Sequence, residues 1–560
     1  MSDAEPDIDS GEESEQDSSK PRASAFVAAG ILLSRISGLI REGVFSHFFG
    51  TSMFADAFRA ALRMPNALQN LLGEGTLSAS FIPVYSELLE EGRKEDAGRL
   101  AGAIFSLLFV IAAGLVLIGI LLAPLLVSVF TPGFSGERRE VTITLVRILF
   151  PMTGFLVLYA WTLGILNSHR KFFLSYVAPV LWNGAIIAAM LIFGARFEQD
   201  ALVIAVGWGA FLGGVIQFAI QLPWVFRLEK NLIFRFARGM KERAEVIRNA
   251  IPAILGRGVV QISGYLDMIL ASLLAVGGVA AIAYAQTIYM LPVGLFGMSV
   301  AAAELPELSR QRKQGTQVLR QRANEALRHM SFYVIPSLFG FLALGDVIVG
   351  ALYERGEFGR PQTILVAATL AAYGIALTAT TATRLYNSTY FALRDTKTPA
   401  KMAALRVAIA AGVGFFLMVQ FEEVALFGWS VGPGLFADLA ITDAPQPVFF
   451  GAVGLAMGSG IAAWIEWFLL RRNLAKRIGK LGADTGSLLR ITGAAVVATA
   501  AAWGLRVAIP VFHPIPYAIV ILGAFVVVYF PLSAALGIKE GRDWISRGKS
   551  GIARITGRGH

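Results

Sequence analysis

Charged side chains interrupt several apolar stretches of this sequence. Arg35, Arg41 and Glu42 lie within ILLSRISGLIREGVFSHFF, residues 31–49, which otherwise has the apolar content of a membrane span. A charge at the centre of a bilayer costs about 2.5–3.5 kcal/mol, so such a residue normally faces a water-filled cavity or an ion-pair partner. Guanidinium groups stay ionised and donate paired hydrogen bonds, which suits phosphate and carboxylate groups. The arginines therefore predict an anion-binding cavity within a membrane protein.

Further charges lie inside the predicted spans. Arg35 and Arg41 project about 120° apart on a helix of about 3.6 residues per turn, so they can flank one cavity from different angles. The other charges are Asp56, Arg59, Arg63, Glu74, Arg257, Asp267, Glu304 and Arg384. Each arginine can alternatively form an internal ion pair or extend to the lipid headgroups. We favour that alternative for Arg147, Arg406 and Arg506, which lie close to span ends, and we favour the cavity for Arg35 and Arg41.

Long apolar elements must position these charges. The 560 residues are 55% apolar and 16% charged, with a mean hydropathy of +0.62, which indicates an integral membrane protein. Continuous runs of about 20 residues favour spanning helices over the short alternating strands of a β-barrel. The prediction is an all-α polytopic protein with about fourteen transmembrane helices, near 24–49, 54–90, 100–130, 140–166, 173–193, 201–226, 246–275, 279–308, 330–352, 361–391, 399–420, 447–470, 488–510 and 516–538.

The distribution of charge predicts the tails and the orientation. Residues 1–23 form an acidic tail that we expect to be disordered and that does not resemble a signal peptide. Most Lys and Arg residues fall in the loops that share a side with both termini, which are therefore predicted to be cytoplasmic. Basic segments 227–248 and 309–329 are interpreted as topological anchors that contact anionic membrane lipid. The net charge of +10 therefore does not indicate nucleic-acid binding.

An internal repeat divides the predicted bundle. The ISG at 36–38 recurs at 262–264, and Arg170 recurs as Arg394, each about 225 positions later. We expect two six-helix lobes in the same orientation, related by a pseudo-twofold axis along the membrane normal, plus two extra C-terminal helices. The predicted division is an N-lobe at 24–227, a basic linker at 228–245, a C-lobe at 246–473, a basic loop at 474–487, two helices at 488–540 and a basic tail at 541–560.

Motifs along most of the chain resemble the MurJ (MviN) family of lipid II flippases, within the MOP transporter superfamily. They are SRISGLIRE in the first helix, ADAF at 55–58, PN…EG…FIP in the second helix, TPGF at 131–134, PAILG at 252–256 and DTKTP at 395–399. The resemblance extends in register over residues 24–475, and the last two helices agree in number rather than in motif.

The resemblance implies an inner-membrane transporter that moves lipid II, an undecaprenyl diphosphate-linked peptidoglycan precursor, from the cytoplasmic to the outer leaflet. Two lobes would alternate access around a cationic cavity, and the last two helices would form a groove for the lipid tail. The implied partners are lipid II or a related polyprenyl diphosphate-linked glycan, membrane lipids and cell-wall synthesis proteins. Motif correspondence assigns to the cavity Arg35, Arg41, Asp56 and Glu74, with Arg63 and Arg384 at positions that are often basic.

The chain departs from the family pattern in two places. Gln69-Asn70 stands where the family often has two arginines, and Gln286-Thr287 stands where an Asp-Arg pair is common. Arg257 is therefore predicted to be a substrate contact that restores positive charge to the second lobe. The departures leave open a flippase for another polyprenyl-linked glycan or a cation-coupled antiporter of the same superfamily, although a cationic cavity disfavours organic cations.

The sequence predicts no catalytic, metal or cofactor site. It has no cysteine, and its five histidines form no metal-ligand pattern. The GKS at 548–550 lacks the first glycine of a phosphate-binding loop, since Asp543 occupies that position. A membrane enzyme acting on lipid-linked sugars and a non-transporting assembly scaffold are the alternatives from other classes. The energy source stays open, with Asp267 and Glu304 as candidate ion-coupling residues.

Overall fold

The computed structural model describes residues 11–236, 239–311, 314–426, 429–432, 434–444, 447–510 and 513–546. The chain forms two compact units. The first comprises Met1–Phe48 and Ala57–Tyr265, and the second comprises Phe49–Asp56 and Leu266–His560. The lobe boundaries at 24–227 and 246–473 stay a prediction.

The first unit consists of helices. They are α1 (Gly11–Phe49), α2 (Met53–Leu72), α3 (Glu74–Glu90), α4 (Lys94–Leu121), α5 (Ala123–Phe130), α6 (Gly136–Ser168), α7 (Phe172–Phe193), α8 (Gln199–Ala219), α9 (Leu222–Leu228) and α10 (Lys241–Ser272), of which α1, α2 and α10 continue across a unit boundary. Helix α1 begins at Gly11, within the predicted acidic tail at 1–23, whose disorder stays a prediction; residues 1–10 lie outside the described part.

The second unit contains the remaining elements. They are α11 (Gly278–Pro292), a π-helix (Val293–Met298), α12 (Ser299–Gln311), α13 (Thr316–Tyr353), α14 (Arg360–Ile375), α15 (Leu377–Ala392), α16 (Lys397–Phe421), β1 (Val424–Leu426), β2 (Trp429–Val431), a 3-10 helix (Ala437–Leu439), α17 (Gly451–Ile478), α18 (Thr485–Ala508) and α19 (Pro514–Ala535). Strands β1 and β2 pair antiparallel, with Ala425 opposite Ser430. This small hairpin was not predicted from the sequence.

One buried helix organises each unit. In the first unit α6 packs against α3, α4, α7 and α8, and in the second unit α13 packs against α14, α15, α18 and α19. The buried aromatic residues of α6 satisfy their polar atoms: Trp161 Nε1 donates to Ala101 O at 2.9 Å, and Tyr159 OH donates to Ser175 O at 2.5 Å. A buried indole or phenol needs such a partner, so these bonds fix α6 against α4 and α7.

Ten described helical segments are long and apolar enough to cross a membrane, or eleven if α14 and α15, bent by 43°, form one span. The chain is therefore a multi-pass membrane protein. Each of the fourteen predicted stretches coincides with helix, but the number of spans, fourteen, is not confirmed. Helix α2 does not belong to the ten, and Asp56, Arg59 and Arg63 interrupt its apolar residues.

Two equivalent helix ends support the predicted repeat. Arg170 follows α6 and Arg394 follows α15, and both adopt the left-handed backbone conformation, with φ of 59° and 61°. In the first, Lys171 N donates to Leu166 O at 2.8 Å; in the second, Asp395 N donates to Tyr390 O at 2.9 Å. These bonds are the Schellman pattern, which usually has glycine at the left-handed position. The same unusual cap in both units agrees with duplication.

Asp395 also fixes the start of α16. It accepts hydrogen bonds from Thr398 N at 2.9 Å and from the Thr398 hydroxyl at 2.7 Å, and Arg477 lies 2.8 Å from Oδ2. The Thr398 hydrogen bonds, together with Arg477, lower the pKa of the Asp395 carboxyl from its usual 3.8 to about 2. The ionised carboxylate therefore stabilises this turn.

We expect Asp395→Asn to lower the melting temperature of the solubilised protein at pH 7. Because the folded-state pKa is depressed, the stabilisation is complete above the unfolded-state value of 3.8 and disappears as the pH falls through about 2. Melting curves across this range should therefore converge for native and variant protein. Asp438→Asn, at an exposed position of the 3-10 helix, is the control, and a pH-independent difference for Asp395→Asn would contradict the assignment.

Candidate functional site

A glycine separates α2 from α3 in the first unit. A Cβ built on Gly73 would lie 2.1 Å from Gln69 O, a distance that no other residue tolerates. The Gly73 N–H donates to that oxygen at 2.8 Å, and the Thr76 hydroxyl donates to Leu71 O at 2.5 Å. The break places Glu74 at the first position of α3, where the helix dipole favours a negative charge. Glycine and proline interrupt or bend helices, so the break between α2 and α3 agrees with the glycines and prolines in this part of the sequence.

A polar cavity of about 460 Å³ opens beside this break, entirely within the first unit. It is lined by Ile31, Ser34, Arg35, Asn66, Gln69, Glu74, Leu156, Tyr159, Leu163, Ser175, Tyr176, Pro179, Trp182 and Gln217. Arg35 and Glu74, both predicted site residues, have exposed side chains here. Helices α1 and α3 thus bring one cation and one anion to the surface of the same cavity.

Arg257 of α10 lies beside the same break. A Cβ built on Gly75 would lie 1.6 Å from Arg257 Nη2, so the guanidinium packs directly over the glycine. Its charge acts on the neighbouring Glu74 carboxylate. Arg257 falls in the first unit, because α10 begins there and continues beyond Tyr265. Its predicted roles, as a substrate contact and as added positive charge for the second lobe, stay predictions.

Arg41 has a different environment from Arg35. Its Nη2 lies 2.5 Å from Glu42 Oε1, and its Nη1 donates to Asn183 Oδ1 at 3.1 Å. Glu42 is 4% exposed, and its other oxygen accepts a hydrogen bond from Arg59. The Arg41 guanidinium also lies 4.9 Å from the ring of Trp182, which lines the cavity. Arg41 is therefore held in an internal cluster of two arginines and one glutamate, behind the cavity wall.

Asp56 and Arg63 lie away from the lining of this cavity. Both Asp56 oxygens accept backbone hydrogen bonds at 2.7 Å, from Gly277 N and Ala280 N, which begin α11 in the second unit. Asp56 is fully buried, so it caps a helix. Arg63 packs over Gly264, where a built Cβ would lie 3.2 Å from its Nη2. Neither Asp56 nor Arg63 lines the cavity that contains Arg35.

The remaining predicted residues belong to the second unit. Arg384 is exposed on α15, and Asp267 is half-buried near the end of α10. Glu304 makes a bidentate pair with Arg322, at 2.7 and 3.0 Å. Gln286, which departs from the family pattern, donates to Tyr373 OH at 3.1 Å. These side chains belong to a different unit from the Arg35 cavity, and their roles in binding or ion coupling stay predictions.

Several cavity residues were missed by the sequence analysis. Tyr159, Trp182 and Gln217 line the cavity, although only charged residues were predicted. Gln217 is an amide inside the strongly apolar helix α8, and Asn183 occupies a similar place in α7. An amide in an apolar membrane helix was the available signal, because it needs a polar partner or water.

An apolar groove of about 390 Å³ lies in the second unit, between α11 with its π-helix, α13 and α19. Pro292, Phe341 and Phe525 belong to its lining. At one edge Tyr529 OH donates to Phe332 O at 2.6 Å and joins α19 to α13. The resemblance implies a tail-binding groove formed by the last two helices; α19 lines the groove described here and α18 does not, so the tail-binding role stays a prediction.

Comparisons with known proteins agree on one family. The family model described as lipid II flippase MurJ matches residues 45–441. A probable lipid II flippase MurJ of Rhizobium tropici is 32% identical over 427 residues, covering 74% of this chain and 79% of that protein. The lipid II flippase MurJ of Burkholderia cenocepacia is 28% identical over 487 residues, covering 82% of this chain and 94% of that protein.

Solved structures share the fold. A lipid II flippase MurJ in an inward closed conformation superposes with a TM-score of 0.71 at 23% identity, covering 93% of this chain and 99% of that chain. An inward-facing multidrug resistance MATE transporter of the MOP superfamily gives a TM-score of 0.63 at 17% identity, covering 81% and 98%. The predicted helical membrane-protein fold is therefore confirmed, and it is the fold of these two structures.

We expect Gly75→Ala to displace the Arg257 guanidinium from Glu74 and to destabilise the protein by at most about 1 kcal/mol relative to a control glycine, because the clash falls on the end of a flexible side chain and costs only the attraction between Arg257 and the exposed Glu74. Gly184→Ala is the matched control, since a Cβ on that α7 glycine meets nothing within 4 Å. Thermal unfolding of purified protein measures both effects. A melting temperature for Gly75→Ala no lower than that of Gly184→Ala would show that the Arg257 guanidinium makes no stabilising contact at this position.

We expect Glu42→Gln to destabilise the protein by about 3–5 kcal/mol, because it leaves Arg41 and Arg59 without their shared buried counter-charge. The control is Glu91→Gln, whose carboxylate is 48% exposed and pairs with Arg93 at 3.1 Å; exposed pairs contribute only about 0–1 kcal/mol. Unfolding of both variants is compared in one detergent. If Glu42→Gln is no more harmful than Glu91→Gln, the cluster is not a structural anchor.

Proposed function

Because this chain belongs to the lipid II flippase MurJ family, we propose that it moves lipid II across the inner membrane from the cytoplasmic to the outer leaflet. The flippase reading is supported by named relatives that span most of the chain. The multi-pass helical architecture suits a substrate with one polar and one lipid end. Both termini are proposed to be cytoplasmic, on the distribution of basic residues.

The observation that carries the proposal is the placement of Arg35 on a polar cavity inside membrane-protein helices. A diphosphate needs charge-assisted hydrogen bonds once it leaves bulk water, and a planar guanidinium donates two in parallel. The cavity also presents amide groups from Asn66, Gln69 and Gln217, which can bind the hydroxyl and amide groups of a glycan. We assign the diphosphate to Arg35 and the sugar to these amides.

Arg257 compensates for the missing arginine at Gln69 in this proposal. Gln69 lines the cavity from α2. The Arg257 guanidinium packs against Gly75, next to Glu74, in the following helix α3. Glu74 balances one of the two arginines, Arg35 and Arg257, so the three side chains together keep one positive charge. The Glu42 cluster adds another positive charge behind Trp182. The field at the cavity therefore favours an anion.

The apolar groove of the second unit is proposed to take the polyprenyl tail. Its lining is almost entirely hydrocarbon and aromatic, from Ile288 in α11 to Phe530 in α19. An isoprenoid chain gains no hydrogen bonds, so such a surface is where it can lie while the headgroup stays in a polar cavity. Transport then consists of binding and alternating access, with no bond made or broken. Cell-wall synthesis proteins are the proposed partners on the product side.

We expect Arg35→Ala to reduce lipid II transport at least about ten-fold, since it removes a charge-assisted contact that contributes about 1.5–3 kcal/mol. Arg35→Lys should recover part of the rate, because it keeps the charge but not the paired hydrogen bonds. Arg99→Ala, at a side chain 59% exposed, is the control and should transport normally. Reconstituted vesicles with a fluorescent lipid II measure the rates.

Complementation of cells depleted of their own lipid II flippase, at matched membrane levels, tests the same variants. Mass analysis of the recovered lipid separates transport from enzymatic modification. Failure of the native protein to move or bind any polyprenyl diphosphate would refute the function. Full transport by Arg35→Ala would retain the function and remove Arg35 from the site.

A further inference from the structure

A second and larger cavity lies at the other end of helix α3, within the first unit. It measures about 970 Å³ and shares no lining residue with the Arg35 cavity. Its walls come from the end of α3, the start of α4, the turn between α6 and α7, and the segment after α9. Small-molecule and headgroup sites are typically about 300–1,000 Å³, so there is room for more than an ion.

Three cations surround this cavity. Arg170, Lys94 and Lys230 all belong to its lining, and all three have exposed side chains. Arg170 is held there by the left-handed cap at φ 59°, a conformation that costs a residue with a Cβ roughly 1 kcal/mol relative to glycine. A positively charged side chain thus occupies a position where glycine would be the easier residue.

The acidic group at the base of the cavity is already satisfied. Glu229 is 4% exposed; its Oε2 accepts a hydrogen bond from Tyr85 OH at 2.9 Å, and its Oε1 accepts one from Asn231 N at 3.2 Å. Tyr85 OH also lies 3.1 Å from His169 Nε2. Burial lowers the pKa of His169, so its ring is neutral at neutral pH. The three cations face one exposed acid, Glu90, and the rim is therefore net positive.

Exposed aromatic residues lie close to the cavity in the sequence segments that form it. Trp224 and Phe226 of α9 are 44% and 50% exposed, and Phe173 at the start of α7 is 48% exposed. Phe234, which follows the cavity segment, is also 48% exposed. Tryptophan is enriched at membrane–water interfaces, so Trp224 supports a position of this cavity near the lipid headgroups. The segment is held in place because a Cβ on Gly102 of α4 would lie 2.1 Å from Ile233 O.

We infer that this cavity binds the phosphate of an anionic lipid headgroup, at a site distinct from the Arg35 cavity. Arg170, Lys94 and Lys230 supply the charge, and the polar groups of the α6–α7 turn supply hydrogen bonds. Two sources share this chemistry: an anionic phospholipid of the membrane, and a polyprenyl diphosphate that waits at the interface before it is transported. The inference holds whichever glycan the transported lipid carries.

The second unit supplies a matched control. Arg394 has the same left-handed backbone as Arg170 and is likewise exposed. The next residue differs, because Lys171 follows Arg170 whereas Asp395, paired with Arg477 at 2.8 Å, follows Arg394. Arg394→Gly therefore makes the same change in charge and backbone strain as Arg170→Gly, but beside an ion pair instead of the basic rim.

The test measures lipid retention by the full-length protein in nanodiscs, using native mass spectrometry. One arm uses phosphatidylglycerol in phosphatidylcholine, and the other uses undecaprenyl diphosphate in phosphatidylcholine. Each cation near a membrane surface contributes about a five-fold factor in anionic-lipid affinity, so Arg170→Gly should weaken retention about five-fold and Arg170→Gly with Lys230→Gln about 25-fold. The melting temperature of Arg170→Gly should be unchanged or higher, since glycine relieves the cap.

Arg394→Gly should retain lipid within about two-fold of the native protein. Arg35→Ala should retain phosphatidylglycerol normally, so that loss of the transport site is distinguishable from loss of this one. Weakening in either arm supports the site and identifies its lipid. The inference is overturned if Arg170→Gly retains both lipids like the native protein, or if Arg394→Gly loses them equally.

Discussion

An ionised side chain within a membrane must have either a counter-charge or water, and this constraint sorts the charges of the first and second units. Glu42 is the clearest case, because one buried carboxylate receives both Arg41 and Arg59. Glu422 is held by backbone donors instead, since it accepts hydrogen bonds from Ala275 N at 2.9 Å and Gly451 N at 3.2 Å. Such groups hold helices together. Residues without that structural task are the ones left to bind a substrate.

Arg35 and Glu74 belong to this second class. They reach the same cavity because α1 is continuous there while α2 and α3 are separate helices on either side of Gly73. Helix breaks at membrane depth are tolerated where they line a polar cavity. The glycine at 75 then admits Arg257. One local interruption thus positions an anion, a cation and the amide-lined surface that the proposed headgroup requires.

Much of the fold was predictable from the sequence, since apolar runs of spanning length need no tertiary information. The α2–α3 break was predictable in kind from Gly73 and Gly75. The π-helix at Val293–Met298 was not, because Pro292 is compatible with several kinks. The distinction between Arg35 and Arg41 was also out of reach. Arg41 donates a hydrogen bond to Asn183, which is distant in sequence. Only the structure, in which α7 packs against α1, reveals that contact.

Transport by the proposed route requires that the Arg35 cavity is hydrated and holds the headgroup of the transported lipid. The chain contains no cysteine, so single cysteines can be introduced into the otherwise native protein and labelled with a water-soluble thiol reagent. The account predicts that Gln69→Cys, on the cavity wall, is labelled and is protected by bound lipid II. Ser46→Cys, at a fully buried position, should stay unlabelled. Absence of labelling at position 69, or labelling that lipid II does not slow, would contradict the account.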